Sequence, residues 1–375
     1  MVTLSVIKAD TGGYVGHCAV HPEMIAEARR RVADAVGDLL LDGQVATCGD
    51  DLSLIMSHEH GVGATEVHAF AWATFVALTG IAKRLGLYGA GQDMLADAFS
   101  GNLRGMGPGY AEMEFTERPS EPILLFLADK TEPGAWNLPL FRMFADPFTT
   151  AGLVIDAKMH AGFTFEVYDL FEEKRLVFDC PAEMYDLLMY IGAPSRYVVH
   201  SVRSKTLGEQ AAATSTQRLS LIAGKYVGKD DPVMIVRCQS GLPAVGEVLE
   251  PFALPYLVAG CMRGSHHAPL MPVPTRHAHP SRFDGPPRVV CLGYQFHDGH
   301  FIGPRDMFDD PAFDRARATA NEIMDYLRRH GPFEPHRLPL EALEYTTMKD
   351  LEERLADRWE PLGAEPELPR QPVPG

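Results

Sequence analysis

Aspartates stand at one end of each of four apolar segments of this chain, and this pattern constrains the fold more than any other feature. The acids are Asp10, Asp50 with Asp51, Asp129, and Asp230 with Asp231. Apolar runs bounded by turn residues are typical of β-strands. Open α/β sheets place their ligand-binding groups at the ends of strands. We therefore predict that these strand ends contribute side chains to a functional site.

Helical and extended segments alternate along the chain, which predicts an α/β fold. Amphipathic helices are expected after Pro22, Thr65 and Pro311, because apolar residues recur there at helical spacing. Further segments are predicted to be strands: Thr3–Lys8, Gln44–Thr47, Leu52–Met56, Ile123–Leu127, Phe163–Tyr168, Tyr197–Val202, Val233–Arg237 and Val289–Gly293.

No low-complexity linker divides the chain. We expect one large catalytic domain over residues 1–359, followed by a proline-rich, mobile tail over residues 360–375.

The carboxylates at the strand ends, joined by the imidazole of His17, form a hard, oxygen-rich ligand set without a thiolate. Such a set favours Mg²⁺ or Mn²⁺ over Zn²⁺ or Cu²⁺. Sites that hold several such ions usually serve phosphate chemistry. The sequence therefore predicts several Mg²⁺ ions as cofactors.

Lys229 stands directly before Asp230 and Asp231. Two neighbouring carboxylates favour the ammonium form of a lysine, which is a poor nucleophile. A divalent cation on the carboxylates would oppose that effect and free a neutral amine to attack a carbonyl. Taken alone, the same segment is also consistent with a solvated turn before Pro232.

The chain resembles the bifunctional fructose-1,6-bisphosphate aldolase/phosphatase family of archaea and deep-branching bacteria. The resemblance rests on segments that run from the first strand nearly to the C-terminus: Ser5–Asp10, Gly49–Leu52, Gly86–Asp93, Phe99–Asn102, Arg104–Gly109, Ala128–Gly134, Leu221–Arg237, Met262–Ser265, Arg282–Pro287 and Glu344–Thr347. The family fold is a four-layer α-β-β-α sandwich. The resemblance also implies a homo-octamer.

The resemblance implies roles for individual residues in the aldol condensation of two triose phosphates and the later hydrolysis of the C1 phosphate. The implied catalytic residues are Lys229 as the Schiff-base lysine, Tyr226 as proton donor and acceptor, and Tyr345. The implied metal ligands are Asp10, His17, Asp50, Asp51, Gln92, Asp129, Asp230 and Asp231. The implied substrate contacts are His17, Tyr88, Gly101, Asn102, Lys130, Gln239, Ser240, Arg263, Asp284 and Tyr345.

The acidic composition of the chain favours small-molecule partners over nucleic acid or membranes. The formal net charge is −16, which disfavours binding to nucleic acid or to an anionic membrane. Six scattered cysteines without a Cys-x-x-Cys pair predict a reduced, cytoplasmic compartment. We find no signal peptide pattern and no apolar run long enough for a membrane span.

Three other functions stay open on sequence grounds. The nearest is a Mg²⁺-dependent sugar-phosphate phosphatase that forms no Schiff base. A non-catalytic sugar-phosphate-binding protein is more remote. The strand–Gly–Asp–Asp–strand pattern around Asp50 also occurs in the palm of RNA-dependent polymerases, but the acidic balance of the chain disfavours this reading.

Overall fold

The computed structural model describes residues 1–94, 107–218, 231–282, 285–331, 336–339 and 348–359. Within these ranges the strands are β1 Val2–Asp10, β2 Gly13–Tyr14, β3 Ala19–Val20, β4 Asp42–Cys48, β5 Asp51–His58, β6 Gly109–Phe115, β7 Glu121–Asp129, β8 Phe163–Asp169, β9 Lys174–Cys180, β10 Tyr197–Ser204, β11 Gln210–Thr214, β12 Gln217–Arg218, β13 Val233–Arg237, β14 Leu257–Gly260, β15 His266–Pro269, β16 Met271–Pro272, β17 Arg288–His297 and β18 His300–Asp306. The helices are α1 Pro22–Ala35, α2 Thr65–Leu85, α3 Asn137–Phe144, α4 Gly152–Ile155, α5 Met184–Ile191, α6 Val245–Leu249, α7 Cys261–Gly264, α8 Asp314–Arg328 and α9 Met348–Leu355.

Local signals explain where the long helices begin and end. The ring of His21 accepts a hydrogen bond from the amide of Glu23 at 3.2 Å, so the first turn of α1 is capped. Helix α2 ends at Gly86, whose φ of 64° is a left-handed conformation that glycine adopts without strain. The carboxylate of Asp310 caps the 3₁₀ turn that leads into α8.

Most strands belong to two sheets. A five-stranded sheet has the order β12-β6-β1-β5-β4, and a nine-stranded sheet has the order β16-β17-β7-β13-β11-β10-β8-β9, with β18 paired to β17. Strands β1 and β5 are antiparallel neighbours, as are β7 and β13. These four strands are the ones that end near the predicted acids.

Three hydrophobic clusters show how the elements pack. One joins α1 and α2 to one face of the five-stranded sheet, with Met24 and Phe75 among its members. A second draws side chains from both sheets, including Leu4 of β1 and Leu125 of β7. A third covers the other face of the nine-stranded sheet with residues of α3 and α5. The two sheets therefore pack face to face.

The α/β class predicted from the sequence is confirmed, and each predicted strand and helix is present in the described residues. The four-layer order stays a prediction, which the three clusters favour. No described helix combines the length and apolar character that a membrane crossing needs. All six cysteines lie in described ranges and are free thiols.

A buried polar network joins β1, β5 and β6 away from the acids. The hydroxyl of Ser5 donates a hydrogen bond of 2.7 Å to Oε1 of Glu112 and lies 2.8 Å from Nε2 of His58. The amide of His60 donates to Nδ1 of His58 at 3.2 Å. His58 is fully buried. Burial lowers the pKa of His58 to about 4, because the charged imidazolium would lose its hydration.

Acid should therefore destabilise this protein through His58. The folded state resists protonation of His58 until the pH nears its lowered pKa of about 4, whereas the unfolded chain takes up that proton at an ordinary histidine pKa. Stability is then present at pH 7 and is lost as the pH falls below about 6.5. We expect His58→Gln to remove about 1 to 2 kcal/mol of the drop in unfolding free energy between pH 7 and 5.

Urea unfolding at both pH values, at one protein concentration, measures this difference. His300→Gln is the matched control, because His300 is exposed on β18. If the unfolding free energy depends equally on pH in the wild type and in His58→Gln, then His58 is not the source of the acid destabilisation.

Candidate active site

The acids share one face of their strands. Alternate residues of a strand point to the same side. In β1, Val2, Leu4 and Val6 point into the cluster between the sheets, and the same alternation continues to Asp10. Strands β5 and β7 follow the same rule, because Ile55 and Asp51 share one face of β5 and Leu127 and Asp129 share one face of β7. Asp231 lies outside β13, two residues before its first residue, Val233. The polar site therefore begins where the apolar packing between the sheets ends.

Six aspartates meet at this place, and we call them the acid cluster: Asp10, Asp50, Asp51, Asp93, Asp129 and Asp231. Asp10 and Asp51 are direct partners in the β1–β5 register. One carboxylate oxygen from each of Asp51, Asp129 and Asp231 lies within 4.8 Å of the others. This spacing lets one cation contact all three carboxylates.

The acid cluster is electrostatically costly without a cation. Burial is the main reason that the pKa of Asp129 rises to about 8, and Asp231 and Asp50 raise it further, although Lys130 acts in the opposite direction. Burial, followed by the charges of Asp50, Asp51 and Asp93, also raises the pKa of Asp10 well above its ordinary value. Like charges in a buried site disfavour full ionisation.

Lys130 supplies one positive charge to the acid cluster. Its Nζ lies 2.9 Å from Oδ1 of Asp50 and 3.1 Å from Oδ1 of Asp129. Burial opposes the charge on Lys130, but Asp129 and Asp50 hold its pKa well above the ordinary value. The ammonium form of Lys130 is therefore suited to contact an anionic substrate group.

Gly49 lets Asp129 approach the turn that carries Asp50. Its φ is +61°, and a Cβ atom added there would lie 2.1 Å from an oxygen of Asp129. A side chain at this position would occupy the space that the carboxylate needs, so the turn requires glycine for both backbone and space.

His17, Tyr88 and Gln92 lie on one side of the acid cluster. Nδ1 of His17 is 4.0 Å from Oδ2 of Asp50, and the His17 ring lies 4.4 Å from the Tyr88 ring. Gln92 begins a 3₁₀ turn whose next residue, Asp93, accepts a hydrogen bond of 2.8 Å from the amide of Asp10. These predicted site residues are therefore close to the predicted acids.

The segment that carries Arg263 packs against the residues that follow Asp129. It is exposed on α7 with a φ of +60°. Gly260, three residues earlier, packs so closely on Lys130 and Thr131 that an added Cβ would lie 2.6 Å from the Lys130 carbonyl oxygen. The turn that leads to Arg263 is thus in contact with the strand end that carries Asp129.

Gln239 and Ser240 do not join this group within one chain. They follow β13, whose register pairs Val233 with Leu127 and Arg237 with Ile123. Asp231 therefore lies beside the end of β7, whereas Gln239 lies beyond the start of that strand. Gln239 and Ser240 remain predicted sugar-phosphate contacts, and within one chain they lie at the opposite end of β7 from the acid cluster. The family pattern placed these two residues by sequence alone and carried no information on strand direction.

The acid cluster fits a hard divalent cation. Asp129 is fully buried; its Oδ1 lies 3.1 Å from Nζ of Lys130, and its Oδ2 accepts no hydrogen bond within the described part of the chain. Buried polar atoms are nearly always paired in folded proteins. Carboxylate oxygens at this mutual distance are the donors that Mg²⁺ and Mn²⁺ prefer. Asp51, Asp129 and Asp231 could therefore hold such an ion.

Comparison with known proteins agrees with this geometry. A model of the fructose-1,6-bisphosphatase family matches residues 1–360. The chain belongs to this family. It is 64% identical over 358 residues to the fructose-1,6-bisphosphate aldolase/phosphatase of Moorella thermoacetica, which covers 96% of this chain and 94% of that relative. The proteins of the same name from Ignicoccus hospitalis and Thermococcus kodakarensis are each 61% identical and cover 96% of this chain, and 93% and 98% of the relatives.

Several residues that the family resemblance implies lie outside the described residues. They are Gly101, Asn102, Tyr226, Lys229, Asp230, Asp284 and Tyr345. Their roles stay predictions from the sequence. The described chain resumes at Asp231, which directly follows Lys229 and Asp230.

Sequence reasoning missed three residues that this fructose-1,6-bisphosphatase family member brings to the site. Lys8 lies 2.7 Å from Asp51, Asp93 accepts from Asp10, and Thr131 contacts Asp231. For Lys8 a signal was present, because the alternation of Val2, Leu4 and Val6 places it on the buried face of β1. A lysine on a buried strand face indicates a charged partner nearby.

Proposed function

We propose that this chain condenses dihydroxyacetone phosphate with glyceraldehyde 3-phosphate and then hydrolyses the C1 phosphate of the resulting fructose 1,6-bisphosphate. The products are fructose 6-phosphate and inorganic phosphate. The observation that carries the proposal is the approach of Asp51, Asp129 and Asp231 to within 4.8 Å of one another in a buried site. The relatives at 56–64% identity are named for both activities, which supports the proposal.

For the phosphatase reaction, the acid cluster would hold several Mg²⁺ ions through Asp10, Asp50, Asp51, Asp129 and Asp231, with His17, Gln92 and Asp230 as the further predicted ligands. Bound Mg²⁺ supplies stabilisation of phosphate charge and activation of a water molecule. Lys130 would donate hydrogen bonds to a substrate phosphate oxygen, and Arg263 could contact a phosphate with two parallel donors. Burial of Asp129 and Asp51 keeps bulk water away from the reacting groups.

For the aldol reaction, Lys229 would attack the ketone carbon of dihydroxyacetone phosphate, with loss of water, to form a Schiff base. Tyr226, three residues earlier, would remove the C3 proton and later return a proton to the new hydroxyl group. The carbon–carbon bond forms to the aldehyde of glyceraldehyde 3-phosphate, and water then releases the product from Lys229. Tyr345, Tyr88, Gly101, Asn102 and Asp284 are the remaining proposed contacts to the sugar phosphates.

A single assay tests this proposal. Purified protein is given triose phosphates and Mg²⁺, and phosphate and fructose 6-phosphate are followed, with borohydride added to a parallel sample. We expect release of phosphate and a reduced adduct on Lys229. Phosphate release from added fructose 1,6-bisphosphate without any adduct would instead identify a phosphatase that lacks the aldol reaction. Binding of sugar phosphate without turnover would identify a non-catalytic protein.

Residues 1–359 would form one catalytic domain, and the extent of the family match supports this boundary. We also propose a cytoplasmic homo-octamer. Exposed apolar side chains on α5 and on the edge strand β9 support contact with further copies: Tyr185 is 73% exposed, Met189 64% and Val177 54%. Residues such as Gln239 would then reach substrate only from another copy. Light scattering should give eight times the 41.3 kDa chain mass, and a monomeric mass would contradict the proposal.

A further inference from the structure

Lys8 is a buried lysine inside the acid cluster. Its side chain is 1% exposed, and its Nζ lies 2.7 Å from Oδ2 of Asp51. The same ammonium donates a hydrogen bond of 2.6 Å to the carbonyl oxygen of Asp231. A buried charge is costly even when it is paired, and apolar side chains of similar volume often stabilise a fold equally well. Stability alone therefore does not explain a lysine at this position.

Asp231 is held on several sides. Its amide donates to the carbonyl oxygen of Thr131 at 2.7 Å, and its Oδ1 accepts from the amide of Thr131 at 3.0 Å. Its φ is +45°, a left-handed conformation that costs energy for a residue with a side chain. Together with the bond from Lys8, these contacts use both main-chain polar groups of Asp231. The residue is therefore fixed in a strained conformation by its surroundings.

The contact between Lys8 and Asp231 joins the two sheets at the site. Lys8 belongs to β1 of the five-stranded sheet, and Asp231 lies two residues before β13 of the nine-stranded sheet. Lys229 stands two residues before Asp231 in the chain. Lys8 thus holds the position from which the chain leads to the proposed Schiff-base lysine.

Lys8 also places the cation of its ion pair with Asp51 beside the proposed metal ligands. It contacts one oxygen of Asp51, while Asp51, Asp129 and Asp231 each offer an oxygen to a common position. A divalent cation at that position and the ammonium of Lys8 would both be attracted to Asp51 and would repel each other. In a buried site such repulsion is strong.

We propose that Lys8 is a positioning residue that fixes Asp51 relative to the main chain of Asp231 and, as a built-in cation, limits the affinity of the acid cluster for divalent ions. The positioning role in catalysis rests on the proposed function, whereas the effect of Lys8 on divalent-ion affinity is independent of it.

The test uses the full chain and two readouts. Binding of Mn²⁺ alone, without substrate, is followed by electron paramagnetic resonance of the free ion, and kcat and KM are measured for phosphate release from fructose 1,6-bisphosphate. The variants are Lys8→Met, Lys8→Gln and Lys8→Arg. Lys83→Met is the matched control, because Lys83 is exposed in the last turn of α2. Circular dichroism checks that each variant is folded.

Lys8→Met should bind Mn²⁺ about three- to tenfold more tightly, because the repelling charge is gone. Its kcat should nevertheless fall about 10- to 100-fold, with KM changed by less than about threefold, because Asp51 and Asp231 lose their common anchor. Lys8→Gln should show the same tighter binding and a smaller loss of kcat, since its amide can still donate to Asp231. Lys8→Arg keeps the charge and should bind Mn²⁺ within about twofold of the wild type.

Weaker or unchanged Mn²⁺ binding in Lys8→Gln and Lys8→Met would overturn the proposal. That result is expected if Lys8 is only a structural contact, because its loss would then loosen the site and weaken Mn²⁺ binding. If the kcat of Lys8→Met equals that of Lys83→Met, Lys8 has no positioning role. If Lys8→Met fails to fold, Mn²⁺ binding is compared between Lys8→Gln, which lacks the charge, and Lys8→Arg, which keeps it. If the wild type releases no phosphate, the proposed function fails, and the Mn²⁺ titration still decides the role of Lys8 in binding.

Discussion

Lys229→Arg should abolish the aldol condensation, with a loss of about 10⁴-fold or more, and leave phosphate release from preformed fructose 1,6-bisphosphate within about tenfold of the wild type. The guanidinium stays protonated at any pH that the protein tolerates, so it has no free electron pair for attack on a carbonyl. Its positive charge is retained, so the neighbouring Asp230 and Asp231 keep a cationic neighbour.

Both rates are measured on the same preparation, with borohydride trapping as a third readout. Lys225→Arg is the matched control, because it makes the same change four residues earlier in the same segment. The control should keep the adduct and both activities. Survival of the aldol reaction in Lys229→Arg would show that another amine forms the Schiff base or that none does.

Asp129→Asn is expected to have opposite effects on activity and on stability. Asparagine has the shape of aspartate but lacks the negative charge, so the acid cluster loses one of the three carboxylates that can share a cation. Phosphate release should fall about 10²- to 10³-fold. Binding of Mn²⁺ should weaken at least about tenfold.

The metal-free variant should at the same time become more stable. The raised pKa of Asp129, about 8, means that the folded state disfavours its ionised form. Stability is therefore lost as the pH rises from the ordinary aspartate pKa towards 8, and asparagine avoids this loss. We expect a gain of about 1 to 3 kcal/mol in unfolding free energy at pH 8 in the presence of a chelator.

Chelator-treated protein unfolded in urea at pH 8 gives the stability, and a phosphate assay with Mg²⁺ gives the activity. Asp38→Asn is the matched control, because Asp38 is exposed in the turn after α1. A variant that lost both stability and activity would indicate that Asp129 is needed for the fold rather than for the cation. Unchanged activity would remove Asp129 from the site.

The strand ends were predictable from the sequence because each is marked by a run of apolar residues next to an aspartate. The apolar runs that end at Asp10 and Asp129, and the run that begins after Asp51, are long enough to identify strands. Strand β9 was missed because its first residues, Lys174 and Arg175, are polar and exposed at the edge of the sheet. An edge strand needs no apolar alternation, so its sequence resembles a loop.

Contacts between the sheets were not predictable from one sequence. The contact of Lys8 with Asp231 spans 223 residues and depends on how the two sheets are placed. The separation of Gln239 from the acid cluster within one chain was not predictable for a related reason, since proximity to Asp231 in the chain becomes separation along β13. Sequence identifies the residues that end a strand, whereas register and strand direction decide which of them meet.

The origin of the acid cluster in the chain also limits how such a protein can be divided. Its members are residues 10, 50 and 51 from the five-stranded sheet, residue 93 from a 3₁₀ turn, and residues 129 and 231 from the ends of strands in the nine-stranded sheet. A break anywhere between residues 10 and 231 would leave some of these carboxylates on one polypeptide and the rest on the other. Two genes that each encoded half of the chain could not each keep one reaction. The two chemistries are therefore inherited and expressed together on one polypeptide.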